Sequence, residues 1–504
     1  MHQLSSLDAQ FLDAETSTTC THVGILSVLG PTTPGGGLTV QALRALADGR
    51  LHLVGPLRWR LQQVPLGLDR PYWVDSEFLD LGYHIREVTL TGPGTDEQLA
   101  EQISGLAARP LSRDRPLWQC YLVNGLTGGR QAIYTKVHPA VIDGLTAAQA
   151  LAVLMDTTPQ PRTVPHRFSD EQYQAAGALG MLGNSAWHLA LLPARLMWSS
   201  LRLAPHLPEL ADALTVPGAD LLGTLARGLT PRTWRRPADE ATAGAPAPAP
   251  APPDTPFPGP DTARRRFAFT SLPLGEVDAV RTALGCTVDD VVTALCTTVL
   301  RRWLIDHDAP PNTTLAAAMP IARRTDAQFA AADHRLSLLP IALPINEADP
   351  ARRLHKVHTS LTAAPQRFRA APATLVRDVG AALPRALRGP ISRTPLRALT
   401  MPTPPVNLII SHAAGPARPL YTAGIEVTGN FPVSAVSDMT GGITIAAMSY
   451  GRHLDVGIIT CRNLVPDVWD VTGQLHQALS ELTACTRNVR YLRPARPPHR
   501  PMSR

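Results

Sequence analysis

An α/β protein built in two halves is what this sequence predicts, on three observations. Its 504 residues exceed what one hydrophobic core organises, since chains beyond roughly 250–300 residues divide. Short β-forming runs alternate with helix-period segments: residues 131–137 alternate and are rich in β-formers, whereas Leu145, Ala148, Leu151, Ala152 and Leu154 mark one helix face. Between the halves lies a proline- and alanine-rich stretch, 238–262, with Gly244-Ala-Pro-Ala-Pro-Ala-Pro-Ala-Pro-Pro-Asp254 at its centre. Such a composition is extended and has no core of its own. The division is therefore 1–237, a linker at 238–262, 263–490, and a disordered Arg/Pro-rich tail at 491–504.

Composition narrows the function classes. With 44% hydrophobic and 17% charged residues, the chain is globular rather than disordered. The net charge of +6 is carried almost entirely by arginine, since the only lysines are Lys136 and Lys356. No basic run interleaves with aromatics, which argues against nucleic acid. The six cysteines (Cys20, Cys120, Cys286, Cys296, Cys461 and Cys485) have no metal-ligand spacing and mostly sit in apolar segments, where they pack as small hydrophobes. The first residues carry neither a basic n-region nor an apolar h-region. No window of about 18 uncharged apolar residues offers a span. A cytoplasmic protein, or one attached peripherally to a membrane, is expected.

In chain order, residues 4–13 predict an opening helix capped by Ser5 or Ser6, and 21–29 a strand. Pro116-Leu-Trp118 leads into a strand at 119–125. The strand at 131–137 then runs into a turn, His138-Pro-Ala-Val-Ile-Asp143-Gly144. Residues 181–210 hold Trp187, Trp198, Arg195 and Arg202 among apolar residues. That pattern suits either an interfacial amphipathic helix or a core or channel-wall helix. The second half opens with a strand at 266–274 and helices at 275–283 and 287–303. Buried strands follow at 315–324 and 337–344, then a helix from 348 with Pro350 near its first turn. A strand lies within 406–416, and 443–450 pairs with 453–459 across Gly451-Arg452 as a hairpin.

The His138 turn, the Leu4-Ser-Ser-Leu-Asp8 opening, the Pro116-Leu-Trp118 element and the strand ending Ser411-His-Ala-Ala-Gly-Pro416 together resemble the wax ester synthase/diacylglycerol acyltransferase (WS/DGAT) family of the coenzyme A-dependent acyltransferase superfamily. The resemblance spans nearly the whole chain outside the linker and tail. It implies two similar subdomains, each a mixed sheet with helices, and a channel between them. It further implies transfer of a long-chain acyl group from acyl-CoA to diacylglycerol or a long-chain alcohol. Coenzyme A would be the leaving group, with no bound cofactor and no metal. The family's turn is His-His-x-x-x-Asp-Gly. Aligned on Asp143 and Gly144, its first histidine is His138, and its second, the catalytic one, falls on Pro139. By the same resemblance Asp143 orients the turn and Gly144 lets the chain turn tightly into the helix. The family's asparagines are replaced by Asp289 and His412.

Acyl transfer to an alcohol needs a base for the hydroxyl proton and donors for the oxyanion. Histidine suits the first task; proline cannot perform it, and it restricts the residue before it to extended geometry. Three readings of the turn follow: His138 acts as the base, a base such as His412 arrives from elsewhere, or the acyltransferase is weakened or inactive and His138 is structural. His22, His84 and His453 are read as ordinary packed or surface histidines. Two rival functions stand beside the acyltransferase: a lipid- or acyl-CoA-binding pseudoenzyme, and another coenzyme A-dependent or condensation-type transferase.

Overall fold

The computed structural model describes residues 2–32, 36–76, 78–141, 153–162, 164, 177, 180–184, 255–256, 262–309, 312–322, 336–370, 406–437 and 441–488. Asp143, Gly144, all but the last residues (Val153 and Leu154, which are helical) of the helix expected after them, residues 185–210, almost all of the 238–262 linker and the 491–504 tail lie outside these residues.

In the first half, β1 (His2–Gln3) precedes α1 (Ser6–Asp13), β2 (Val23–Leu29), α2 (Val40–Asp48), β3 (Trp59–Gln62) and β4 (Tyr72–Asp75). Then come α3 (Leu81–His84), β5 (Ile85–Thr89), α4 (Asp96–Ala107), β6 (Trp118–Asn124) and β7 (Gln131–Val137). The second half contributes β8 (Arg265–Pro273), α5 (Leu274–Leu284), α6 (Val288–Asp306), β9 (Leu315–Ala322), β10 (Leu336–Leu343) and α7 (Pro350–Ala370). It ends with β11 (Leu408–Ala414), β12 (Leu420–Thr422), β13 (Ile425–Val433), β14 (Ile443–Tyr450), β15 (His453–Cys461) and α8 (Val468–Asn488).

Two six-stranded sheets carry the fold, ordered β12-β13-β2-β7-β6-β5 and β10-β9-β11-β14-β15-β8. Both are mixed: β5/β6, β11/β14 and β11/β9 are parallel and the other pairs antiparallel. The first sheet is not made by the first half alone. β12 and β13 cross over from beyond the linker, and Phe431 pairs with Leu26 on β2.

One apolar face of the second sheet packs under α5, α6, α7 and α8, with Leu295, Val299, Ile410, Ile445, Ile458 and Leu479 essentially buried. A second cluster joins the sheets: Phe267 and Phe269 of β8 and Phe431 of β13 meet Tyr134 of β7 and Leu99 and Ile103 of α4. A polar tie crosses the same seam. The Asp455 carboxylate accepts from Ser271 Oγ at 2.6 Å and from the Asn430 N–H at 2.6 Å.

Caps decide where the helices begin. Ser5 Oγ accepts from the Asp8 N–H at 3.1 Å and starts α1, as its residue type predicts. Thr287 and Asp290 form a reciprocal capping box at the head of α6. Among the described residues no single helix is long and apolar enough to cross a membrane.

Candidate active site at the His138 turn

The turn begins where β7 ends. Val137 pairs with both Val23 and Trp118, and the His138 N–H donates to the Leu117 carbonyl at 2.9 Å. The Pro-Leu-Trp element thus grips the turn through its backbone. Its indole is an anchor: Trp118 Nε1–H donates to the Leu57 carbonyl at 2.8 Å, and the ring stacks on His84 at 4.4 Å. The Val141 N–H donates back to the His138 carbonyl at 3.0 Å and closes the turn.

The His138 side chain is 1% exposed, and both ring nitrogens are engaged. The Ala140 N–H donates to Nδ1 at 3.1 Å. An atom accepting a hydrogen bond carries no proton, so in the neutral ring the proton sits on Nε2. Nε2 then donates to Thr21 Oγ1 at 2.9 Å and lies 3.5 Å from the Glu15 carboxylate. Thr21 Oγ1 in turn donates to the Phe11 carbonyl at 3.2 Å. Glu15 follows α1 directly and also accepts from Arg113 Nη2 at 3.0 Å. Burial works to raise the Glu15 carboxyl, but His138, Arg113 and the Thr21 N–H beside it outweigh burial and hold the pKa at about 2.

Two further groups tie this end of the first sheet to α4. Lys136 is fully buried on β7, and its Nζ donates to the Leu106 and Arg109 carbonyls at 2.9 and 2.6 Å. Desolvation lowers its pKa to about 8. His22 Nε2–H donates to the Ala107 carbonyl at 2.8 Å, and burial, with the Lys136 charge beside it, lowers its pKa to about 3. His84 is a packed residue as well, its Nδ1 bonded to the Trp118 carbonyl at 2.8 Å.

The structure does not bring His412 to this turn. Thr444, near the start of β14, donates to the Ala435 carbonyl just past β13, and Val433 sits opposite Gly24, itself opposite Lys136. That is the His138 end. His412 Nε2 bonds Ser449 at 2.9 Å, five residues further along β14 and so about 17 Å away along the strand. The next residue agrees on the direction: Tyr450 Oη donates to the Val427 carbonyl, level with Gln131 at the far end of β7. His412 Nδ1 meets Asp289 Oδ1 at 2.7 Å. Two residues that depart separately from the family pattern therefore touch one another.

The description of the wax ester synthase/diacylglycerol acyltransferase catalytic domain matches residues 4–292, and that of the WS/DGAT C-terminal domain matches 334–483. The chain belongs to the WS/DGAT family. The catalytic-domain match runs on through the proline-rich stretch to residue 292, in α6. A putative diacylglycerol O-acyltransferase of Mycobacterium tuberculosis is 32% identical over 492 residues, covering 96% of this chain and 91% of the relative. A probable diacylglycerol O-acyltransferase of the same species is 28% identical, covering 98% of each. The wax ester synthase/diacylglycerol acyltransferase structure from Marinobacter aquaeolei superposes with a TM-score of 0.63 at 25% identity, covering 96% of this chain and all of that one. The first condensation domain of a calcium-dependent antibiotic synthetase shares the fold, with a TM-score of 0.54 at 18% identity over 96% of this chain and 97% of that one. Within the WS/DGAT frame, the turn here offers His138 with its nitrogens occupied, then Pro139. Glu15 and Thr21, which hold His138, were not singled out by sequence reasoning, because nothing in linear spacing joins them to a residue more than a hundred positions on. Among the described residues no cluster of three His, Cys, Asp or Glu side chains could hold a metal ion.

Proposed function

We propose that this WS/DGAT protein binds a long-chain acyl-CoA together with diacylglycerol or a long-chain alcohol, and that its His138 turn transfers the acyl group slowly or not at all. One observation carries the reading: the turn's only imidazole is buried with both nitrogens bonded inside the protein, and proline fills the family's catalytic position. A general base needs a lone pair within reach of the hydroxyl proton. In His138 the Nδ1 lone pair is taken by the Ala140 N–H, and Nε2 already carries a proton. His412 stands too far along β14 to serve the same hydroxyl. Losing a general base costs about 10²–10⁴ in rate, which leaves only what substrate positioning supplies.

Thermal melting with palmitoyl-CoA, run beside a diacylglycerol acylation assay, tests this. Binding to the folded state alone at about 100 times Kd adds about 2.7 kcal/mol, so the melting temperature rises while turnover stays near background. Vigorous diacylglycerol-dependent turnover would overturn the reading, and so would the absence of any protection. Attachment to a membrane or lipid-droplet surface is proposed to run through 181–210, whose composition is basic, amphipathic and tryptophan-bearing. Replacing Trp187 and Trp198 with serine should weaken liposome flotation; unchanged flotation would exclude that segment.

A further inference from the structure

At the end of β14 remote from the turn, three side chains from separate elements line up. Asp289 lies in the first turn of α6, His412 near the end of β11, and Ser449 near the end of β14. The contacts are 2.7 Å from Asp289 Oδ1 to His412 Nδ1 and 2.9 Å from His412 Nε2 to Ser449 Oγ. Each is held by independent structure. The Thr287–Asp290 capping box fixes the head of α6, and β11 and β14 pair in parallel with His412 opposite Ala447 and Ala414 opposite Ser449.

The polarity of the array is fixed by donor chemistry. A carboxylate only accepts, so Nδ1 carries the ring proton. The Nε2 lone pair is then left to accept the serine O–H. This arrangement prepares a serine oxygen for attack. Ser449 and the ring are partly buried, and the Asp289 side chain is 51% exposed. The array therefore meets solvent at its Asp289 end, while the ring between Asp289 and Ser449 is 9% exposed.

We propose that Ser449, His412 and Asp289 form a second acyl-transfer centre, separate from the His138 turn, that hydrolyses activated acyl esters. Ser449 Oγ attacks the acyl carbonyl while its proton passes to His412 Nε2. The tetrahedral adduct collapses, the carbonyl–oxygen bond to the leaving group breaks, and the alcohol departs with the proton from Nε2. Water then attacks the acyl-serine, giving its proton to Nε2. Release of the carboxylic acid returns a proton to Ser449 Oγ. Asp289 orients the ring and balances the imidazolium charge.

The proposal does not depend on the reading of the turn, because its test uses no acyl-CoA. The full chain is treated with a fluorophosphonate probe, the labelled peptide is identified by mass spectrometry, and p-nitrophenyl butyrate hydrolysis is followed. Label on Ser449 is expected, with hydrolysis lost in Ser449→Ala. The paired change Asp289→Asn with His412→Asn puts amides at both positions, where the family's pattern has asparagine. It should keep the melting temperature within a few degrees and lower labelling and hydrolysis by about 10²–10⁴. Folded parent protein without label at Ser449, or label and hydrolysis indifferent to the paired change, would overturn the proposal. The labelling map of the parent decides the matter even if a variant fails to fold.

Discussion

Removing the His138 ring leaves the Ala140 N–H, Thr21 Oγ1 and the Glu15 carboxylate without the group on which they converge. A buried polar group deprived of its partner costs about 1–3 kcal/mol, so His138→Ala should lose at least that much stability in urea melts. A ring that served only as a base would instead take activity and leave the melt unchanged. Glu15 adds a pH signature. Its folded pKa of about 2 lies below its ordinary value of 4.5, so between these the folded state binds fewer protons than the unfolded chain. The stability it contributes is complete above pH ~4.5 and drains away as pH falls towards ~2. Flattening of the acid limb in Glu15→Gln would confirm the link; an unchanged limb would contradict it. At this scale the sequence was half legible. His138, Pro139 and His412 stand out by position, but the partners that decide what their rings can do arrive through tertiary contact from residues 15, 21, 289 and 449.

Helix α4 ends against a strand, and that junction can be tested. The last carbonyls of a helix lack intrahelical donors, and here a buried cation supplies them: Lys136 bonds the Leu106 and Arg109 carbonyls from β7, with the sign that a helix C-terminus favours. Lys136→Met keeps most of the volume but takes the ammonium donor from both carbonyls, leaving Leu106 only its backbone bonds from the Ala108 and Arg109 N–H groups, a predicted loss of about 1–3 kcal/mol at pH 7. Burial lowers the Lys136 pKa from 10.5 to about 8. The unfolded chain therefore binds more protons between those values, and the native lysine's contribution rises with pH across that window. The Lys136→Met variant should lack that increment, and a melt series from pH 7 to 10 shows it. Elements themselves were readable where pattern and caps agree. The strand at 131–137 and the 443–450/453–459 hairpin appear as β7 and β14–β15, and the helix expected from 287 begins at 288 behind the Thr287 cap. Lys136, by contrast, reads on the sequence only as one polar residue in an alternating strand.

The two halves of the molecule are interleaved rather than joined end to end. β12 and β13 leave the second half to complete the first sheet, and the Phe267, Phe269 and Phe431 cluster and Asp455 close the seam. Two α/β halves were legible from length, alternating periodicity and resemblance. The strand exchange was not, because a strand's own residues state that it pairs but not with which sheet. The same exchange fixes the His138 turn at one end of the shared seam and Ser449 at the other, so a histidine lost at the turn is not replaced by the one gained on β11. What the turn lacks is then one imidazole at one position. The most direct measurement is acyl-CoA-dependent acylation of diacylglycerol by the parent protein and by Pro139→His, at matched folding and acyl-CoA affinity. A rise of about 10²–10⁴ in turnover, with an inflection near the imidazole range, is the predicted result. Equal turnover in the two proteins, whether high or absent, would contradict it.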